Sequence, residues 1–131
     1  MPGRSEKIRF NHCAPQFIVH DVTRAVEFYK NNLGFEIDYL SGGTPPGYAV
    51  VYRDDVYIHL CLTETQSFNL GTGCIFMAIK GIDKIWAHLQ NTDTEIIDQL
   101  AERDFGSGGR FKIFTIKDPD KNILRIGEKI N

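Results

Sequence analysis

Two basic side chains stand inside otherwise apolar stretches of this chain, His59 in VYIHLCL and Arg125 in NILRIGE. A basic group deep in an apolar strand needs water or a partner, so both are expected to line a cleft. There they could meet the carboxylate or phosphate of a small metabolite through charge-assisted hydrogen bonds. Cys61 lies two residues beyond His59, and residues two apart share one face of a strand. That spacing lets a thiol and an imidazole approach as nucleophile and base, although buried cysteines are more often inert. His12, His20 and His88 read as surface or helix-face residues. The glycine-rich SGGT (41–44) and GSGGR (106–110) lack the strand–loop–helix setting and the lysine of a phosphate cradle. The second reads instead as a mobile lip over the cleft.

The elements that must position these groups repeat. Val22, Ala25, Val26 and Tyr29 fall at i, i+3, i+4 and i+7, the apolar face of an amphipathic helix over 22–33. Asp21 or Thr23 supplies its N-cap oxygen, and Gly34 stands where a left-handed residue stops a helix. Downstream, Ile82, Ile85, Trp86 and Leu89 repeat the spacing in a helix over 82–91, with Asp83 as its cap. After the helices, YRDDVYIHLCL (52–62) has a counterpart in IKDPDKNILRIGE (116–128), each an acidic turn leading into an apolar strand with one basic residue.

The remaining strands fit around the helices. Pro15 opens the first, and others are expected over 35–41, 48–53 and 56–63, then 74–80, 111–117 and 122–128. Residues 94–105 read as either a strand or a short helix, and 1–13 as either a loose arm or an added edge strand. Ser41–Gly47, Asp54-Asp55 and Asp118-Pro119-Asp120 carry turn chemistry, and Thr63–Gly73 is a polar connector. The expectation is an α+β fold of two βαβββ modules, 14–64 and 74–128, helices outside a curved sheet. Neither half buries enough surface alone, so 1–131 is read as a single domain.

The 131 residues are 42% hydrophobic and 24% charged, which excludes a largely disordered chain. A net charge of −2 and a pI near 6.1 give nucleic-acid binding no electrostatic support. No apolar run spans a bilayer, and MPGRSEKIRF lacks the apolar core of a signal peptide. Cys13, Cys61 and Cys74, odd in number and without motif spacing, read as reduced thiols in a cytoplasm.

DVTRAVEFYKNNLGF, followed by YAVVYRDDVYIHL, IKGID and IKDPDKN, resembles the vicinal oxygen chelate superfamily of glyoxalase I, extradiol dioxygenases, and fosfomycin and bleomycin resistance proteins. The similarity covers about residues 14–128 and lies nearest the bleomycin resistance branch. It implies paired βαβββ modules and a homodimer with cupped clefts. Most enzymes of this superfamily hold a divalent metal with His, Glu or Gln, two ligands from each module. The matching positions here are Ala14, His59, Cys74 and Arg125. Ala14 has no donor atom and Arg125 is cationic, so no bound metal or other cofactor is expected.

The resemblance thus implies a metal-free protein that sequesters an aromatic or glycopeptide-like small molecule in a dimer-interface cleft. The positions matching the branch's ligand-contacting side chains are Asp38, Tyr39, Tyr48, His59, Cys61 and Phe76, and Arg125 is expected to line the same cleft and contact the ligand. Aromatic faces beside a carboxylate suit a planar cation, through stacking and charge pairing. Tyr39 and Phe76 fit core packing equally well. The alternative is a superfamily enzyme acting on a small metabolite through a non-standard site. A net −2 with Arg125 in the cleft steers a cation poorly, which favours the metabolite.

Overall fold

The computed structural model of the chain describes residues 7–62, 71 and 73–131. Its first half builds a four-stranded sheet from β1 (Gln16–Val19), β2 (Glu36–Leu40), β3 (Tyr48–Arg53) and β4 (Val56–Leu62), ordered β1-β4-β3-β2. The second half repeats it with β5 (Cys74–Ala78), β6 (Glu95–Asp104), β7 (Arg110–Lys117) and β8 (Ile123–Lys129), ordered β5-β8-β7-β6. In each sheet the first strand runs parallel to the last and the other pairs are antiparallel. A parallel pair needs a long crossover, and helices α1 (Val22–Leu33) and α2 (Ile82–Leu89) begin those crossovers. The fold is α+β, two βαβββ modules.

Helix α1 is fixed by local sequence. Asp21 is its N-cap, accepting from the Arg24 N–H, and Gly34 ends it at φ +73°. A Cβ at Gly34 would lie 2.7 Å from Nη1 of Arg53, whose guanidinium donates to the Leu33 carbonyl at 2.7 Å. Helix α2 is held differently from expectation. Its N-cap is Gly81, without a side-chain cap of its own, and Asp83 pairs with Lys112 instead. The Glu128 carboxylate on β8 takes the Gly81 and Ile82 N–H groups, each at 2.9 Å. That anion also complements the helix dipole.

Residues 94–105 resolve to strand, because β6 pairs along β7. Residues 106–108, expected in a flexible loop, form a 3₁₀ turn, and 7–13 join no strand. Residues 1–6 of the expected arm, 63–70 and 72 of the connector, and the end of the first expected module lie outside the described residues.

One cluster of buried side chains takes Tyr29, Ile58 and Leu60 from the first half and Phe114, Leu124 and Ile126 from the second. Full burial of each large apolar side chain stabilises by roughly 1.5–3 kcal/mol, so this shared core ties the halves together. A polar knot reinforces it. Tyr29 donates its hydroxyl to Asp118 Oδ2 at 2.8 Å, and Asp118 also accepts from the N–H groups of Asp120 and Asn122. Asn122 Nδ2 donates to it as well, and the His20 N–H donates to Asp120 Oδ1. Burial pushes the Asp118 carboxyl above its ordinary range, against these hydrogen bonds.

Candidate ligand-binding faces

Alternation along each strand separates a core face from a face turned away from the core. On β3 and β4 the core takes Ala49, Val51, Ile58 and Leu60, so Tyr48, Val50, Tyr52, Tyr57, His59 and Cys61 project to the opposite side. The cross-strand pairs there are Tyr48 with Cys61, Val50 with His59, and Tyr52 with Tyr57. Tyr48 and His59 share a hydrogen bond of 2.6 Å between the hydroxyl and Nδ1, the imidazole tautomer setting its direction. Their rings meet edge-on at 5.6 Å. Burial, then the Cys61 thiol, raises the Tyr48 phenol and keeps it protonated.

Next to this pair Tyr52 stacks on Tyr57 at 5.4 Å and 17°, and the His12 ring meets the edge of Tyr57. The Glu36 carboxylate raises the Tyr52 phenol, with smaller contributions that include Asp38. Glu36 is also the cross-strand partner of Tyr52, so its carboxylate stands beside the stacked rings. Asp38 itself falls at a β-bulge, where the β2–β3 register shifts between Ile37 and Tyr39. Tyr39 stands opposite Val50 and is half exposed. Of the seven expected site residues, Tyr39, Tyr48, His59 and Cys61 thus come from one sheet face, with Asp38 at its bulged edge.

Phe76 and Arg125 belong to the other sheet, where they are strand partners on the face opposite Leu124 and Ile126. Arg125, expected deep in an apolar strand, is exposed, and Phe76 is 50% exposed, which removes it from the core. Phe76 lies over Gly127, where an added Cβ would approach its ring to 3.1 Å. Phe111 meets both Phe76 and Phe105 edge-on, at 6.2 and 5.8 Å. This second face is phenylalanine-rich with a guanidinium; the first is tyrosine-rich with carboxylates. Among the described residues no hydrogen bond or ion pair joins the two groups.

Tyr52, Tyr57, Phe105 and Phe111 escaped the sequence reading. Strand alternation from Tyr48 and His59 would have found Tyr52 and Tyr57, since both pairs share a face two or four residues apart.

The donor set does not suit a divalent metal. Ala14 offers nothing, Arg125 carries positive charge, and Cys74 is exposed at the start of β5 beside Ile123. Among the described residues, no three His, Cys, Asp or Glu side chains converge to hold an ion. No described helix is long and apolar enough to cross a membrane.

Paired βαβββ modules, each leaving an aromatic sheet face open, define the glyoxalase-like fold class. Residues 9–126 match the sequence model of the Glyoxalase/Bleomycin resistance protein/Dioxygenase superfamily, and the chain belongs to that superfamily. A bleomycin resistance protein of Geobacillus stearothermophilus is 26% identical, over 88% of this chain and 95% of its own length. Among solved structures, TioX from Micromonospora sp. ML1 superposes with a TM-score of 0.77 at 11% identity, covering 92% of this chain and all (100%) of that one. TnmS3, an antibiotic binding protein from Streptomyces sp. CB03234, gives 0.74 at 18% identity, covering 92% and 98%. These two likenesses are of fold.

Proposed function

We propose that this chain is a metal-free small-molecule-binding protein of the bleomycin resistance type. It pairs into a homodimer and holds an aromatic or glycopeptide-like ligand in a cleft between opened sheet faces. The observation that carries the reading is the open tyrosine face: stacked Tyr52 and Tyr57, the hydrogen-bonded Tyr48 and His59, and carboxylates Glu36 and Asp38 nearby. Such a face suits a flat ligand by stacking, and a cationic one by ring quadrupole and charge. The sequence relative named as a bleomycin resistance protein supports the ligand class. Asp38, Tyr39, Tyr48, His59, Cys61 and Phe76 are assigned as contacts of this ligand, and Arg125 lines the same cleft as the contact an anionic ligand would require.

The test is titration with bleomycin and with aromatic carboxylates, in parallel on wild type, Arg125→Ala and Asp38→Asn. Micromolar or tighter bleomycin binding, weakened by Asp38→Asn and indifferent to Arg125→Ala, is the expected result. Binding of anions alone, abolished by Arg125→Ala, would overturn sequestration of a cationic drug in favour of a metabolite.

One observation favours an enzyme as the second reading. The Tyr48–His59 hydrogen bond, with Cys61 on the same face, is a ready proton-transfer pair beside a thiol. A ligand recovered chemically altered by wild type, and unaltered by His59→Ala, would establish it.

A further inference from the structure

The two halves do not close on each other equally. The registers Val50–His59 in one sheet and Thr115–Arg125 in the other make Val50 and Thr115 equivalent, so Arg53 holds the position of Asp118. Asp118 reaches across to Tyr29 on α1 and seals one side of the module junction. Arg53 turns back to the Leu33 carbonyl of its own module, and the α2 residue equivalent to Tyr29 is Leu89, which has no hydroxyl to offer. On that side a groove of about 860 Å³ stays open. It runs between the end of α1, the β3–β4 turn, the end of β5 and one face of α2.

Its chemistry is amphipathic. Leu33, Phe35, Met77, Ile85 and Ile126 provide an apolar floor, while Lys80, just before α2, and Lys84, within it, stand exposed on that wall. Asp54 and Asp55 lie on the opposite wall. Among the described residues, neither lysine takes part in an ion pair, whereas Lys112 and Lys121 do. With Arg53, the lining carries three fixed positive charges against two negative ones, within a chain of net −2. His88 donates its Nε2–H to the Asn31 carbonyl at 2.9 Å, bracing the groove's end. Glu128 already takes the Gly81 and Ile82 N–H groups at the start of α2 and Arg53 is engaged with the Leu33 carbonyl, so the lysines are the unengaged cationic groups of the lining.

We propose that this groove is a second binding site, separate from the tyrosine face, for an amphipathic monocarboxylate. The apolar tail covers the Leu33–Met77–Ile85 floor and the carboxylate meets Lys80 and Lys84. Desolvation of the tail supplies most of the affinity, and the ammonium groups select the sign of the head.

The experiment is an amide NMR titration of the full chain with decanoate below its micellar concentration, and with decyltrimethylammonium as the cationic counterpart. Decanoate should move the signals of Lys80, Lys84, Ile85 and His88 and leave those of Tyr48, His59, Phe76 and Arg125 in place. Lys80→Glu combined with Lys84→Glu should weaken it about tenfold or more, the loss of roughly one charge-assisted contact. Both positions are exposed, so the double variant keeps the fold, and its unchanged amide spectrum elsewhere verifies this. Equal binding of the cationic amphiphile, an affinity indifferent to the double reversal, shifts confined to the tyrosine face, or no shifts at all would each overturn the proposal.

Discussion

Asp118 is the residue on which the two halves turn. Its carboxylate accepts four hydrogen bonds in a buried setting, one of them from Tyr29 in the other module. Removing that hydroxyl strands one acceptor position, so Tyr29→Phe should cost about 1–3 kcal/mol in urea unfolding. Loss of less than a few tenths would mean the contact is replaced by water. The pH dependence has a defined sign. An acid with a raised folded pKa binds its proton more readily folded than unfolded. Its contribution therefore favours the fold at low pH and is lost as pH rises from the ordinary 3.8 through the raised folded value. Asp118→Asn removes this titration. The stability of the variant relative to wild type should climb across that window and level off above it, whatever its absolute offset. A flat difference from pH 3 to 7 would contradict the direction of the shift.

At the scale of elements, the two helices illustrate two ways of ending a helix. Helix α1 is stopped by Gly34 at positive φ, under the Arg53 guanidinium. Gly34→Ala adds left-handed strain and displaces the arginine from the Leu33 carbonyl, an expected loss of about 1–2 kcal/mol in thermal or urea unfolding. A neutral effect would show that Arg53 relocates without cost. Helix α2 depends on a carboxylate far away in sequence, Glu128. Glu128→Ala leaves two N–H groups at its start without their partner, for an expected loss of about 1 kcal/mol. Hydrogen exchange should then accelerate in the first turn of α2 and not in α1. Equal acceleration in both helices would point to global loosening instead.

At the scale of the whole molecule, apolar surface remains uncovered. Tyr39, Phe76 and Phe105 are each half exposed, and Phe10 is 96% exposed on an arm that joins no strand. Contiguous exposed aromatic area is a candidate contact surface. The dimer proposed above gives a sedimentation mass of about twice 14.9 kDa at micromolar concentration, reduced towards the single-chain value in Phe76→Glu. A single-chain mass for wild type would leave the open faces as binding surfaces of a monomer. The groove beside α2 is distinct from these faces, so dimer formation and decanoate binding should respond to different substitutions.

The sequence by itself determined the repeat, both helices, seven of the eight strands and the fold they build. It did so because those signals are local: apolar spacing on α1, Asp21 and Gly34 at its ends, turn residues between strands. It also showed that Ala14 and Arg125 cannot serve as metal ligands, since donor chemistry belongs to the residue alone. Residues 94–105 stayed ambiguous until β7 paired with them, because strand formation is decided by the neighbour. Tertiary structure alone assigned the α2 cap to Glu128 and separated Phe76–Arg125 from Tyr48–His59. It alone sealed one side of the module junction with Tyr29 and Asp118 while leaving the Lys80–Lys84 side open. Those outcomes depend on how two packed modules meet, a relation between residues dozens of positions apart that no local pattern encodes.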